Sequence, residues 1–169
     1  MSTRNNRQFL PDSFKFSSKA ISKMKKLKVG IVYLYGSYAE KVNRYNSDFD
    51  LGVVFQDLAV LKNSLRLYSE LYDLFSNELP VTFQKEVDIV FLQRAPISLK
   101  FEAINKGKVL FETSPYLRVK FEEEVIRKYL DFAPYLKEYE KVTKEMFNET
   151  GAPESPNNGK STKRDCRRH

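Results

Sequence analysis

Val29-Gly30-Ile31-Val32-Tyr33-Leu34-Tyr35-Gly36-Ser37, followed after a polar interval by Ser47-Asp48-Phe49-Asp50-Leu51-Gly52-Val53-Val54-Phe55, decides how this chain folds. The first stretch is a compact apolar, β-branched and aromatic run ended by glycine, which predicts a strand buried on both faces. The second alternates. Phe49, Leu51, Val53 and Phe55 share one face, while Asp48 and Asp50 project from the other. Residues 38–46 between them are polar and carry no strong period.

Working outward, Phe16, Ala20, Ile21, Met24 and Leu27 recur at helical steps and predict a short helix over 14–27 with a lysine-rich outer face. Downstream, Leu58, Leu61, Leu65, Tyr68, Tyr72 and Phe75, widened by Leu71 and Leu74, predict one long helix over 57–78 closed by Pro80. A third strand is expected over 86–92, with Val87, Ile89 and Phe91 on one face and Asp88 on the other. Pro96 at the first helical position and Gly107 just past the end predict a short helix over 96–106. A fourth strand is expected over 108–112. From Pro115 onward a second long helical region follows, which Pro134 should kink or split. After about Asn148 the composition turns to Gly, Pro, Asn, Ser, Lys and Arg, the signature of a disordered tail. The expected organisation is an N-terminal segment 1–28, a core 29–113, C-terminal helices 114–147 and a basic tail 148–169. This alternation of helices and strands gives an α/β (α+β) domain around a small sheet.

Composition narrows the chemistry. At 169 residues, 41% hydrophobic and 14% aromatic, the chain has room for one ordinary domain with a real core. No run approaches a membrane span, and Met1 to Leu10 lacks the apolar region of a secretory signal, so a cytoplasmic protein is expected. Cys166 is the only cysteine and His169 the only histidine, which leaves no zinc cluster and directs any catalysis to carboxylates. The net charge of +7 is uneven: residues 1–28 carry +7, residues 160–169 carry +4, and the stretch 29–159 carries −4. A mildly acidic body does not point to nucleic acid as the partner.

Three features carry chemistry. Gly36-Ser37 directly after a buried strand lets backbone approach a ligand, and the following N–H groups can hold phosphate oxygens, although strands also end in Gly-Ser for ordinary turn reasons. Asp48 and Asp50 project from one face with ~6–7 Å between their Cα atoms. Like charges there repel, and a divalent cation would offset that cost; the alternative is a turn-forming Ser47-Asp48 followed by one exposed Asp. Asp88 interrupts an apolar strand, either as an edge charge that discourages aggregation or as a third acid on the same face. Three carboxylates meeting there would make a two-metal site, with Asp88 able to accept a proton from an incoming hydroxyl.

With Gly36-Ser37, ten intervening residues, Asp48-Phe49-Asp50-Leu51 and the later Asp88, the chain resembles the polymerase-β-like nucleotidyltransferase superfamily. Its size, with Arg94-Ala95-Pro96 leading to Asn105-Lys106-Gly107-Lys108-Val109-Leu110-Phe111-Glu112, is similar to the minimal nucleotidyltransferase (MNT) antitoxins, which are encoded with HEPN-domain ribonuclease toxins. The resemblance spans about 29–139 and implies a small mixed sheet flanked by helices. It also implies an enzyme that binds Mg-ATP and transfers AMP to a tyrosine hydroxyl of the toxin, in a hetero-oligomer with it. On that reading Gly36, Ser37 and Ser47 bind the nucleotide, and Asp48, Asp50 and Asp88 are catalytic and ligate two Mg²⁺ ions. Many relatives continue Gly-Ser-x-Ala with Arg-Gly, where this chain has Glu40-Lys41; that departure bears on nucleotide affinity and choice. Two other readings stay open: an antitoxin that acts by binding alone through Tyr68, Tyr72, Tyr129 and Tyr139, and a transferase acting on a small-molecule hydroxyl or a nucleic acid end.

Overall fold

The structure is a computed structural model that describes residues 14–39, 48–81 and 86–149. These fall into two compact units, one ending at Asp131 and the other beginning at Phe132.

The first unit is built on four strands: β1 (Val29–Tyr35), β2 (Phe49–Phe55), β3 (Val87–Phe91) and β4 (Lys108–Glu112). Their order in the sheet is β3-β2-β1-β4. Strand β1 pairs antiparallel with both β2 and β4, whereas β2 and β3 run parallel. The sheet is therefore mixed, as the resemblance implied, and β1 is buried along its whole length as its composition predicted.

Each sheet face has its own apolar layer. On one side Phe49, Leu51, Val53 and Phe55 pack with Val32 and Leu34 under helices α1 (Ser18–Lys26) and α3 (Ser64–Glu78). On the other, Ile31, Tyr33, Tyr35 and Val54 meet Leu92 and Ala103, covered by α4 (Ile97–Lys106) and the first turns of α5 (Pro115–Glu149). The period-two alternation read in β2 divides the strand between these two layers.

Several boundaries differ from the sequence reading. Helix α1 starts at Ser18, because the Ser17 side chain accepts the Ala20 N–H and also donates to the Glu78 carboxylate. Phe14 and Phe16 thus precede the helix, and Phe16 packs on Phe75 with ring centroids 5.7 Å apart. The single helix expected over 57–78 is two elements. Asp57 caps Ala59 and opens a 3-10 turn over Leu58–Asn63, after which α3 begins. The buried stripe of α3 is Leu67, Leu71, Leu74 and Phe75, while Leu65, counted in the apolar stripe, is 84% exposed. Pro96 is the N-cap of α4, one step outward from the position expected, and Gly107 is its C-cap, one step inward.

In the second unit, residues 132–149 continue α5, and Pro134 lies inside the helix without ending it. Proline removes its own N–H bond and its ring crowds the carbonyl one turn earlier, but the bonds on either side remain. At an exposed position the freed carbonyl can bond to water, so the expected split does not occur. Phe132, Tyr135, Tyr139 and Val142 are exposed along this segment. The disordered tail expected after Asn148 falls almost wholly outside the described residues.

Candidate active site

The end of β1 and the start of β2 and β3 come together on the sheet face covered by α4. Tyr35 pairs with Asp50 across β1 and β2, and Asp50 lies directly opposite Asp88 in the parallel register of β2 and β3. Asp50 is half-buried, and Asp48 and Asp88 are exposed. Asp48 precedes the strand, and its Oδ1 accepts the Glu86 N–H at 2.9 Å, while the Phe49 N–H donates to the Glu86 carbonyl at the same distance. These two bonds fix the entry of β2 against the entry of β3.

Gly36 begins the short helical turn α2 (Gly36–Ala39), which lies against β1, β2 and α4. Its φ is +66°, a left-handed conformation that side-chain-bearing residues adopt at a cost. A Cβ at this position would overlap the Asp50 carboxylate. The glycine therefore serves two needs at once: it turns the chain out of β1, and it leaves room for an acid. Ser37 follows in the same turn. Ser47, and the departure at Glu40-Lys41, lie outside the described residues.

The electrostatics follow from this crowding. Burial, then the charges of Asp88, Asp48 and Glu102, push the Asp50 carboxyl from its ordinary 3.8 up to about 6. Tyr35 feels the same field, and burial followed by Asp50, Asp88 and Glu102 pushes its hydroxyl up to about 12. Glu102, on α4, is a fourth acid that the sequence reading missed. Nothing in its neighbourhood marks it, since only the docking of α4 on the sheet brings it to the other three.

Among the described residues, no three Asp, Glu, His or Cys side chains converge closely enough to enclose a metal ion. Asp50 and Asp88 are nevertheless neighbours by register, with two further acids raising the local negative charge. That donor set fits Mg²⁺, which takes one or two carboxylates together with substrate phosphates instead of an all-protein cage.

The tyrosines read as a possible interaction face divide. Tyr68 and Tyr72 stack on each other at 6.3 Å, half-buried beside the core, and Tyr129 stacks on Phe101 at 3.8 Å. Tyr139 is exposed.

A strand-turn-strand frame that carries a glycine turn and acids on adjacent strand ends is that of a nucleotidyltransferase. The chain belongs to the family described as Polymerase beta, Nucleotidyltransferase, whose family model matches residues 18–116. No curated protein matches the chain by sequence. Among solved structures, it is similar to a toxin-antitoxin crystal structure with AMP-PNP, at 23% identity and a TM-score of 0.55 over 74% of this chain and 97% of that one. It is also similar to a mutant MntA-HpeT toxin-antitoxin structure, at 21% identity and a TM-score of 0.52 over 74% of this chain and 96% of that one. At these identities the likeness establishes the fold. No helix among the described residues is long and apolar enough to cross a membrane.

Proposed function

We propose that the chain is an antitoxin-type adenylyltransferase, moving AMP from Mg-ATP onto a tyrosine hydroxyl of a HEPN ribonuclease toxin and so inactivating it. The observation that carries this reading is the pairing of Asp50 with Asp88 beside the glycine turn at Gly36. Family membership supports nucleotidyl transfer, and the similarity to toxin-antitoxin structures, one with an ATP analogue, supports a toxin protein as the acceptor.

In the proposed reaction Gly36 and Ser37 hold the triphosphate, with Ser47 assisting, and Asp48, Asp50 and Asp88 hold two Mg²⁺ ions. When bound, Mg²⁺ neutralises phosphate charge and lowers the cost of the charge that develops on transfer. Asp88, exposed at the strand end, takes the proton from the acceptor hydroxyl. The bond from tyrosine oxygen to the α-phosphorus forms as the bond to the bridging oxygen breaks, and pyrophosphate leaves. Asp50 is held close against Asp88, where its raised pKa is relieved by a cation. A cytoplasmic location accords with this chemistry.

Mass spectrometry of the toxin after co-expression tests the reading. AMP additions should appear with the wild-type chain and vanish with Asp48→Asn/Asp50→Asn. Equal additions with both would sink it.

A second reading, inhibition by binding alone, draws on the exposed Phe132, Tyr135, Tyr139 and Val142. It expects the same double variant to protect cells from the toxin at normal expression.

A further inference from the structure

A cavity of about 480 Å³ lies at the far end of β3 from the carboxylates. Asp88 stands near the start of that strand, and Gln93 and Arg94 follow its end, which separates the two places by roughly 15 Å. Its walls come from the 3-10 turn before α3, the turn after β3, α4 and α5. The volume falls within the range of small-molecule sites, ~300–1,000 Å³.

The lining is unusual in its charge. Arg94, Lys100 and Lys128 face the cavity, with Glu124 as the one acid among the lining residues. Glu124 is engaged by Lys128 at 2.6 Å. Arg94 bonds to the carbonyl of Leu61 at 2.8 Å, and Lys100 to the carbonyl of Gln93 at 3.1 Å. Both of those acceptors are neutral, and Glu124, already held by Lys128, is the one lining acid whose charge also acts on Lys100, so the three cations outnumber the acid. Burial, and then the neighbouring charge of Lys128, lower the Lys100 ammonium pKa against the opposing charge of Glu124.

Gln93 is the neutral polar side chain among the lining residues. The Gln93 side chain is oriented by its Nε2, which donates to the Phe55 carbonyl at 2.8 Å. A carbonyl can only accept, so the amide cannot be turned round. Its Oε1 is then left buried with no hydrogen-bond partner among the described residues. That oxygen is closed off from the cavity, so it offers no hydrogen bond to a ligand there. Phe121, Val125 and Ile97 supply apolar wall between these polar groups.

We propose that this cavity binds a small organic anion that combines a charged head with an apolar body. The anionic head lies among Arg94, Lys100 and Lys128, and the body lies against Phe121 and Val125. A carboxylate, sulfonate or phosphate monoester would serve equally as the head. Because the ligand touches three separate elements, its binding raises the melting temperature.

The test uses two dyes on the full chain. 8-Anilinonaphthalene-1-sulfonate carries a sulfonate, aromatic rings and an N–H; N-phenyl-1-naphthylamine is the same body without the sulfonate. The sulfonate dye should bind at one saturable site, and the uncharged dye about tenfold more weakly. Lys100→Gln should weaken the sulfonate dye about tenfold and leave the uncharged one unchanged. Lys128→Gln, at an exposed side chain, repeats the measurement if the first variant does not fold. Mg-ATP should not displace the dye. Equal affinity for both dyes, unaltered by either lysine variant, overturns the proposal. So does displacement by Mg-ATP with loss of binding in Asp50→Asn, which would put the dye at the carboxylate site.

Discussion

Gly36 and Asp50 share one volume: the space a side chain would fill at Gly36 is taken by the carboxylate of Asp50. Gly36→Ala therefore acts at the site itself. The positive φ alone costs about 1–2 kcal/mol, and the displaced Asp50 adds to that. Denaturant unfolding should register the loss, and AMP transfer should fall much further than the folded fraction does.

Asp50 makes stability depend on pH. Its carboxyl is raised from 3.8 to about 6 in the folded chain, so between those values the folded state holds a proton that the unfolded state has released. The associated stability is full below about pH 4 and is lost as pH rises through about 6. Asp50→Asn removes the ionising group. Without bound metal, the variant should be more stable than the wild type at pH 7 by about 1 kcal/mol, after discounting for solvent screening of a half-buried group. The gap should close below pH 4, as urea titrations at several pH values would show. A gap that does not change with pH would contradict this account.

Asp48 has a structural bond as well as a proposed catalytic role. Its Oδ1 accepts the Glu86 N–H, and an asparagine keeps an acceptor there. Asp48→Asn should retain wild-type stability while abolishing transfer. Asp48→Ala should lose transfer and also about 0.5–1 kcal/mol of stability, since water partly replaces the bond at this exposed position. Comparing the two melting curves separates the roles.

Tyr33, buried in the middle of β1, donates its hydroxyl to Glu122 on α5 at 3.0 Å. Burial, and then the charge of Glu122, raise its pKa, so it remains a donor across ordinary alkaline pH. Arg118 completes the group, bonded to Glu112 at 2.7 Å and 3.9 Å from Glu122. Tyr33→Phe should cost about 1–2 kcal/mol in unfolding experiments without altering transfer chemistry.

The strands were legible because composition and period two leave few alternatives: β1, β2 and β4 occupy the residues expected of them. Helix starts were less so, because Ser17 and Asp57 set them by capping, and a 3-10 turn carries apolar residues at much the same spacing as an α-helix. Leu65 illustrates the limit, since its place in the stripe counted only if the helix had begun at Asp57. At the site, the shared face of Asp50 and Asp88 followed from alternation. Their direct opposition required the parallel register, and Glu102 required the docking of α4, neither of which any local pattern encodes.

The parallel pairing of β2 with β3 has a consequence for synthesis of the chain. Antiparallel neighbours can be joined by a short hairpin, but parallel ones need a crossover, here the 3-10 turn and α3. A growing chain that stops before Val87 carries Asp50 paired with β1 but without Asp88 on its other side, and β2 is then an open edge. The acidic pair is thus assembled only once the crossover has packed, a non-local closure of the kind that forms slowly. On the proposed function, nucleotide chemistry is withheld from the nascent chain until the frame that aims it is in place.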